Sequence, residues 1–375
     1  MQDFFDYDNT MTDAQTQLMI NINADAEQDF LKKIGGANAR KSDVGAMADQ
    51  YNGTTVKTLC FAGSDKKALA IWAERCRVLG LTSLLTVIAD ENAIDEIADS
   101  CADGILLDCR EIEDFSIIDK ISAASDALLY VLVSSDVEVS VLSVADWTAV
   151  HGVVVCSDEK RCKNDLPVQK WLSEITDLEV FAGIGDVLCE ANGRVWHPTP
   201  EILNGTAVSY LAKGCNGLWL DGYCADIFNP DSGLYDIYEL CGDLSECVGT
   251  KRRHIQLCEV QKIILPGADY HFTADIAPVF DGAPVCLVLA AEGAKGEQAL
   301  TVFCHENELQ YTGEPFIISR NDKGRLCENQ CIPVSSNCFE YYLGNNVSDE
   351  PLSLRIHNNT KNNVILCWAE LSVNI

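Results

Sequence analysis

Six aspartates stand at or just past the end of short apolar runs: Asp90, Asp108, Asp136, Asp158, Asp186 and Asp221. Two carboxyl groups that face each other can divide the work of breaking one bond. One protonates the leaving oxygen, and the other attacks carbon or activates water. A separation of about 5–5.5 Å implies retention at the reacting carbon, and ~6.5–9.5 Å implies inversion. We take Asp108 as one catalytic member and Asp186 or Asp221 as the other. Asn23, Asp90, Arg110, Glu111 and Asp136 are candidate polar contacts to a substrate. Trp196 and Tyr223 offer faces on which a ring could stack. Arg110 can pair with Asp108 or Glu111 and set its charge. The competing reading is that these aspartates cap the helices that follow, a role Asp fills readily.

The acids recur because strand-like runs recur. These are Gln17–Ala24, Thr54–Ala62, Leu81–Ala89, Ile105–Leu107, Ala127–Val133, His151–Cys156, Leu178–Ile184 and Gly217–Leu220. Continuous apolar runs of this length suit strands buried on both faces of a parallel sheet. Helical patterns lie between them. Ser64-Asp65 can cap a helix carrying Leu69, Trp72, Cys76 and Leu79, with Gly80 as its stop. Thr199-Pro200-Glu201 starts another in the order cap, then Pro. Asp25–Lys33, Ser42–Tyr51, Asp114–Ala124 and Leu234–Cys241 also read as helical. Trp72 and Trp171, at helical spacing, are assigned to the core. The segment from Gly185 to Thr199 reads as a loop carrying Trp196 and His197. Eight strands alternating with helices over roughly 240 residues predict a (β/α)8 TIM barrel, whose mouth collects residues that follow the strands. A doubly wound open sheet is the runner-up, but no Gly-x-Gly-x-x-Gly turn follows the first strand.

After Lys262 the pattern changes to short β-type runs separated by Gly, Asn and Asp turns. This predicts residues 1–262 as the barrel and 263–375 as an antiparallel β-sandwich domain. The final run, Asn363–Val373, is apolar on both faces.

Composition removes several classes of function. The formal net charge of −30 argues against nucleic acid and anionic membranes as partners. It suits a neutral small molecule or carbohydrate. No Gly-x-Ser-x-Gly elbow, Walker sequence or phosphate-binding Gly-rich loop occurs, so no cofactor is expected. The 6 histidines are too scattered for the usual metal-dependent hydrolase, and the 18 cysteines include no Cys-x-x-Cys pair. No metal is expected. The N-terminus lacks a basic segment followed by an apolar core, and no apolar run approaches the ~20 residues of a membrane span. A reducing cytoplasm fits best, with the four Asn-x-Ser/Thr sequons as chance matches.

Three stretches resemble the glycoside-hydrolase-like (β/α)8 barrels that carry a C-terminal β-sandwich. Asp103-Gly-Ile-Leu-Leu-Asp-Cys-Arg110 is similar to the fourth strand of several such bacterial families, with Arg110 one place early. Ala182-Gly183 followed by Thr199-Pro200-Glu201 is similar to their seventh strand and helix. Gly214-Cys-Asn-Gly-Leu-Trp-Leu-Asp-Gly-Tyr223 is similar to their eighth, and Lys251-Arg-Arg-His254 to the exit from the barrel. The resemblance implies a glycosidase-like hydrolase acting on a neutral glycan. Many barrel glycosidases place glutamates at strands four and seven. Here strand four offers Asp108 and Glu111, and strand seven Gly185-Asp186. The alternative is a non-catalytic glycan-binding or assembly protein with a degenerate barrel, for which a homo-oligomer is one expected form.

Overall fold

The eight apolar runs become parallel strands: β1 (Gln17–Asn23), β2 (Val56–Ala62), β3 (Thr82–Ile88), β4 (Gly104–Asp108), β5 (Leu128–Ser134), β6 (Gly152–Cys156), β7 (Glu179–Gly185) and β10 (Gly217–Asp221). The computed structural model describes residues 17–25, 45–90, 92–98, 100–140, 147–157, 161–162, 165–175, 177–191, 194–221, 244–258, 260–277, 279, 282–313, 332–333, 335–345, 347 and 351–373. The strands close into a barrel in the order β1-β10-β7-β6-β5-β4-β3-β2. The seam is β1, which pairs with β2 on one side and β10 on the other, with Met19 opposite Trp219 and Asn21 opposite Asp221. Closure leaves no edge strand, so the open doubly wound sheet is excluded.

Alternation along each strand decides what the barrel contains. Its interior is a cluster to which every strand contributes, including Met19, Cys60, Leu84, Leu106, Leu132, Val154, Phe181 and Trp219. Residues two positions further on share the same face. Asn21, Asp108 and Asp221 therefore stand above Met19, Leu106 and Trp219. At the opposite end, Gly104, Gly152 and Gly217 lie two residues before Leu106, Val154 and Trp219. A Cβ on Gly152 would stand 3.0 Å from the Tyr130 ring, and one on Gly217 would stand 2.7 Å from Phe181. The two rings meet edge to face, centroids 5.9 Å apart, in the room those glycines leave. Glu179 closes this end by accepting from Gln17 Nε2 at 3.2 Å and from the Tyr130 hydroxyl at 3.4 Å. Burial, then the Glu179 charge, pushes Tyr130 up to about 12.

The helices follow their sequence signals. In α1 (Lys66–Leu79), the Asp65 carboxylate accepts from the backbone N–H groups of Lys67 and Ala68, and Gly80 ends the helix at φ 71°. Trp72 of α1 and Trp171 of α4 (Val168–Glu174) are fully buried, as their spacing predicts. Between them come α2 (Ala93–Ala98) and α3 (Ile117–Ala124). The helix expected at Leu234–Cys241 lies outside the described residues.

The described cysteines are free thiols apart from Cys189, which is disulfide-bonded. Burial pushes the Cys60 and Cys109 thiols well up, and Cys76 and Cys215 up to about 12. Cys101, by contrast, is exposed. Only a thiolate alkylates readily. Iodoacetamide at pH 8 should therefore modify Cys101 before Cys60, Cys76, Cys109 and Cys215, which stay intact until the chain is unfolded. Peptide mass spectrometry reads this directly, and early modification of Cys60 or Cys109 would contradict the burial.

The chain divides into two compact units. The first draws on residues 1–160, 165–185 and 213–244, and the second on 161–164, 186–212 and 245–375. In the second, the segment expected to be a loop is an antiparallel hairpin, β8 (Cys189–Ala191) with β9 (Arg194–Trp196). Helix α5 (Pro200–Ala212) follows, and then α6 (Leu244–Val248). Two sheets make the sandwich. One runs β11 (Arg252–Leu257), β20 (Val364–Val373), β14 (Val285–Glu292), β18 (Asn337–Gly344), β17 (Gln310–Gly313), with β12 (Lys262–Ile264) also on β20. The other runs β13 (Asp269–Ala274), β19 (Leu352–Asn358), β15 (Leu300–Cys304), β16 (Asn307–Glu308).

Strand β11 was not expected from the sequence, in which Lys251-Arg252-Arg253-His254 is similar to the exit from a barrel. All three side chains are buried. Arg253 donates to Glu370 through Nε at 3.0 Å and Nη2 at 2.7 Å, and Trp368 Nε1 donates to the same carboxylate at 2.9 Å. Arg252 donates to the Val248 carbonyl and to His254 Nε2. The Arg253 charge is tolerated because Glu370 pairs with it, whereas burial pulls the Arg252 guanidinium down to about 10.

Candidate functional site

The barrel mouth gathers polar side chains from strands that are otherwise apolar. Asp221 ends β10 and is only 4% exposed. Asn21, its partner across the β1–β10 seam, donates from Nδ2 to Asp221 Oδ1 at 2.8 Å. That bond fixes the amide. It leaves Asn21 Oδ1 buried with no hydrogen-bond partner. Thr86 Oγ1, on the same face of β3 as Leu84, is likewise buried without a partner. Buried polar atoms of this kind are costly unless something bonds to them.

Asp108 ends β4. Arg110 folds back over it in a fork, with Nε to Oδ1 at 2.9 Å and Nη2 to Oδ2 at 2.5 Å, and the Arg110 backbone N–H donates to Oδ1 at 3.2 Å. The hydrogen bonds to Asp108 hold the Arg110 guanidinium above its ordinary value against the pull of burial. The charges of Asp108, Cys156 and Asp221 add to the effect. Arg110 is thus within electrostatic range of both mouth carboxylates. Next to Asp108 in register, Ile88 is apolar and 68% exposed.

At the mouth end, strand β7 contributes no acid to the barrel. On the face shared with Phe181 it presents Gly183 and Gly185. A Cβ at Gly183 would lie 2.4 Å from the Cys156 Cβ, so the strand has no room for a side chain there. Asp186, the first residue past β7, belongs to the second unit. There its carbonyl oxygen bonds His197 Nδ1 at 2.7 Å, and its carboxylate lies 3.5 Å from the same nitrogen.

The remaining candidates are dispersed. Asp90 is a local cap, accepting from the Asn92 backbone N–H at 2.7 Å. Asn23 is exposed and accepts from the Asp25 N–H. Glu111 and Asp136 are exposed, and Arg110 bonds Asp108 rather than Glu111. Trp196 ends β9. Asp158 and Tyr223 lie outside the described residues. Asn21 is the mouth residue that sequence reasoning passed over. Its signal was present, because in Gln17–Asn23 it shares a face with Met19, but its pairing with Asp221 depends on barrel closure.

Among the described residues, no cluster of three or more His, Cys, Asp or Glu is arranged to hold a metal ion, and no helix is long and apolar enough to cross a membrane.

No protein-family model matches the sequence, and no curated protein matches it. Solved structures do. One is tryptophan synthase from M. tuberculosis, at 11% identity and TM-score 0.42, covering 64% of this chain and 95% of that one. A mutant tryptophan synthase alpha-subunit from Pyrococcus furiosus gives 13% identity and TM-score 0.42, covering 63% and 99%. The phospho-2-dehydro-3-deoxyheptonate aldolase of Thermotoga maritima gives 12% and 0.36, covering 55% and 59%. At such values they say nothing about activity, and none of the three is a glycoside hydrolase. The resemblance to glycosidase-like chains holds at the level of an eight-stranded parallel barrel followed by antiparallel sheets.

Proposed function

We propose that the barrel mouth binds a neutral, polyhydroxylated ligand of the sugar class without hydrolysing it. The observation that carries this reading is the Asn21–Asp221 pair, which holds an unpartnered acceptor, Asn21 Oδ1, in a buried position. A ligand hydroxyl is the natural donor to it, and Asp221 is an acceptor beside it. Ile88 offers an apolar surface for the C–H face of such a ligand. Glycine at the mouth end of β7 and the Arg110 fork, which occupies both Asp108 oxygens, argue against hydrolysis.

One observation favours a second reading. Asp108 and Asp221 are two carboxylates at the ends of the fourth and eighth barrel strands, which is the raw material of a hydrolase. A single experiment separates the two. Wild type is incubated with a broad glycan panel while binding and release of new reducing ends are both followed. The first reading expects binding without release, and about tenfold weaker binding in Asp221→Ala and Asn21→Ala, equivalent to ~1.4 kcal/mol. Release of reducing ends that disappears in Asp108→Asn would establish the hydrolase instead.

A further inference from the structure

The sandwich unit contains a cleft of about 530 Å³ that none of the barrel chemistry uses. It forms where the chain steps from one sheet to the other: β16 ends at Glu308, β17 begins at Gln310, and Leu309 between them donates its N–H to the Val302 carbonyl at 2.8 Å. The floor is apolar, with Leu300 and Val302 fully buried or nearly so. Its size lies within the ~300–1,000 Å³ of ordinary ligand sites.

One wall is the half-buried ring of Tyr311. It is braced edge-on against Tyr341 with centroids 5.7 Å apart, and against Phe339 at 6.4 Å. The Tyr341 hydroxyl is already committed to the Leu300 carbonyl at 3.1 Å, so Tyr341 acts as a prop. Opposite chemistry lines the rim. Asn359 Nδ2 donates to the Gln298 carbonyl at 3.0 Å and to Thr301 Oγ1 at 2.7 Å, which holds the amide in place and leaves its Oδ1 open. Glu308 and Gln310 are exposed lining residues.

A rigid aromatic wall with a fixed amide acceptor and an exposed carboxylate on the rim suits a ligand with a C–H face and many hydroxyl donors. The carboxylates, in a chain of net charge −30, exclude an anionic one. We propose that this cleft binds one end of a neutral oligosaccharide, with a sugar ring against Tyr311 and its hydroxyls held by Asn359, Gln310 and Glu308. The site shares no residue with the barrel mouth and does not depend on the reading given for it.

The test uses the full chain with cellohexaose, xylohexaose, maltohexaose and chitohexaose, followed by a glycan array. Affinity is measured by calorimetry, and the contact region by hydrogen exchange. At least one glycan should protect residues 297–311, and its affinity should fall tenfold or more in Tyr311→Ala. Because Tyr311 also packs on its neighbours, the exposed pair Glu308→Gln with Gln310→Ala is the companion variant; it should keep the melting temperature and lose the same binding. Protection of residues 297–311 distinguishes binding in this cleft from binding at the barrel mouth. The proposal falls if no glycan protects the segment, if the Glu308/Gln310 variant binds like wild type, or if spermine protects the segment and sugars do not.

Discussion

Glu370→Leu should destabilise the protein by about 3–5 kcal/mol, the usual cost of leaving one member of a buried ion pair behind. Arg253 would then keep its charge with its two carboxylate bonds gone, and Trp368 Nε1 would lose its acceptor. The pair is only 4% and 0% exposed at its two side chains, so water cannot repair the loss. The double variant Arg253→Met with Glu370→Leu should recover most of the stability, because an apolar pair of similar size needs no partner. Urea denaturation of the three proteins checks this. A single variant that costs less than ~1 kcal/mol would mean that the pair is solvated, as an ordinary surface bridge is.

Gly217→Ala is the second large effect. Its Cβ would stand 2.1 Å from the Gln17 carbonyl oxygen and 2.7 Å from the Phe181 ring. The Gln17 oxygen belongs to the backbone of β1, at the seam that closes the barrel, so neither atom can swing away cheaply. Overpacking usually costs ~1–3 kcal/mol, and a backbone collision belongs at or above the top of that range. Gly267→Ala is the comparison. There the new Cβ meets no atom within 4 Å, and the cost is confined to its left-handed backbone at φ 69°, about 1–2 kcal/mol. Thermal denaturation should rank Gly217→Ala as clearly the worse. An equal or reversed order would contradict the packing at the seam.

Much of the barrel was legible because each signal is local. Asp65 and Gly80 mark α1 through their own backbone bonds, and Ile105–Leu107 is apolar because the strand is covered on both sides. What escaped depends on distant residues. Strand β11 is polar in sequence and buried in the fold, and Glu370, which makes that possible, lies 117 residues away. The hairpin of β8 and β9 is short and weakly patterned, so it read as loop. At the mouth, Asp108 and Asp221 were visible as strand-end acids, and their partners were only half visible. Arg110 is two residues from Asp108, within reach of inspection. Asn21 reaches Asp221 from the far end of the barrel sequence, 200 residues away. Gly183 could be read as a glycine, but not as the residue that denies β7 an inward side chain near the mouth.

On the function proposed, the mouth holds a sugar-class ligand through Asn21 and Asp221 and leaves it whole. The most direct measurement is a crystal structure of the protein soaked with the glycan that binds best in the panel. It should show the glycan intact in the barrel mouth, with a hydroxyl oxygen about 2.5–3.2 Å from Asn21 Oδ1 or an Asp221 oxygen and Arg110 still seated on Asp108. A cleaved glycan, a sugar joined covalently to Asp108 or Asp221, or a mouth left empty at saturating ligand would contradict it.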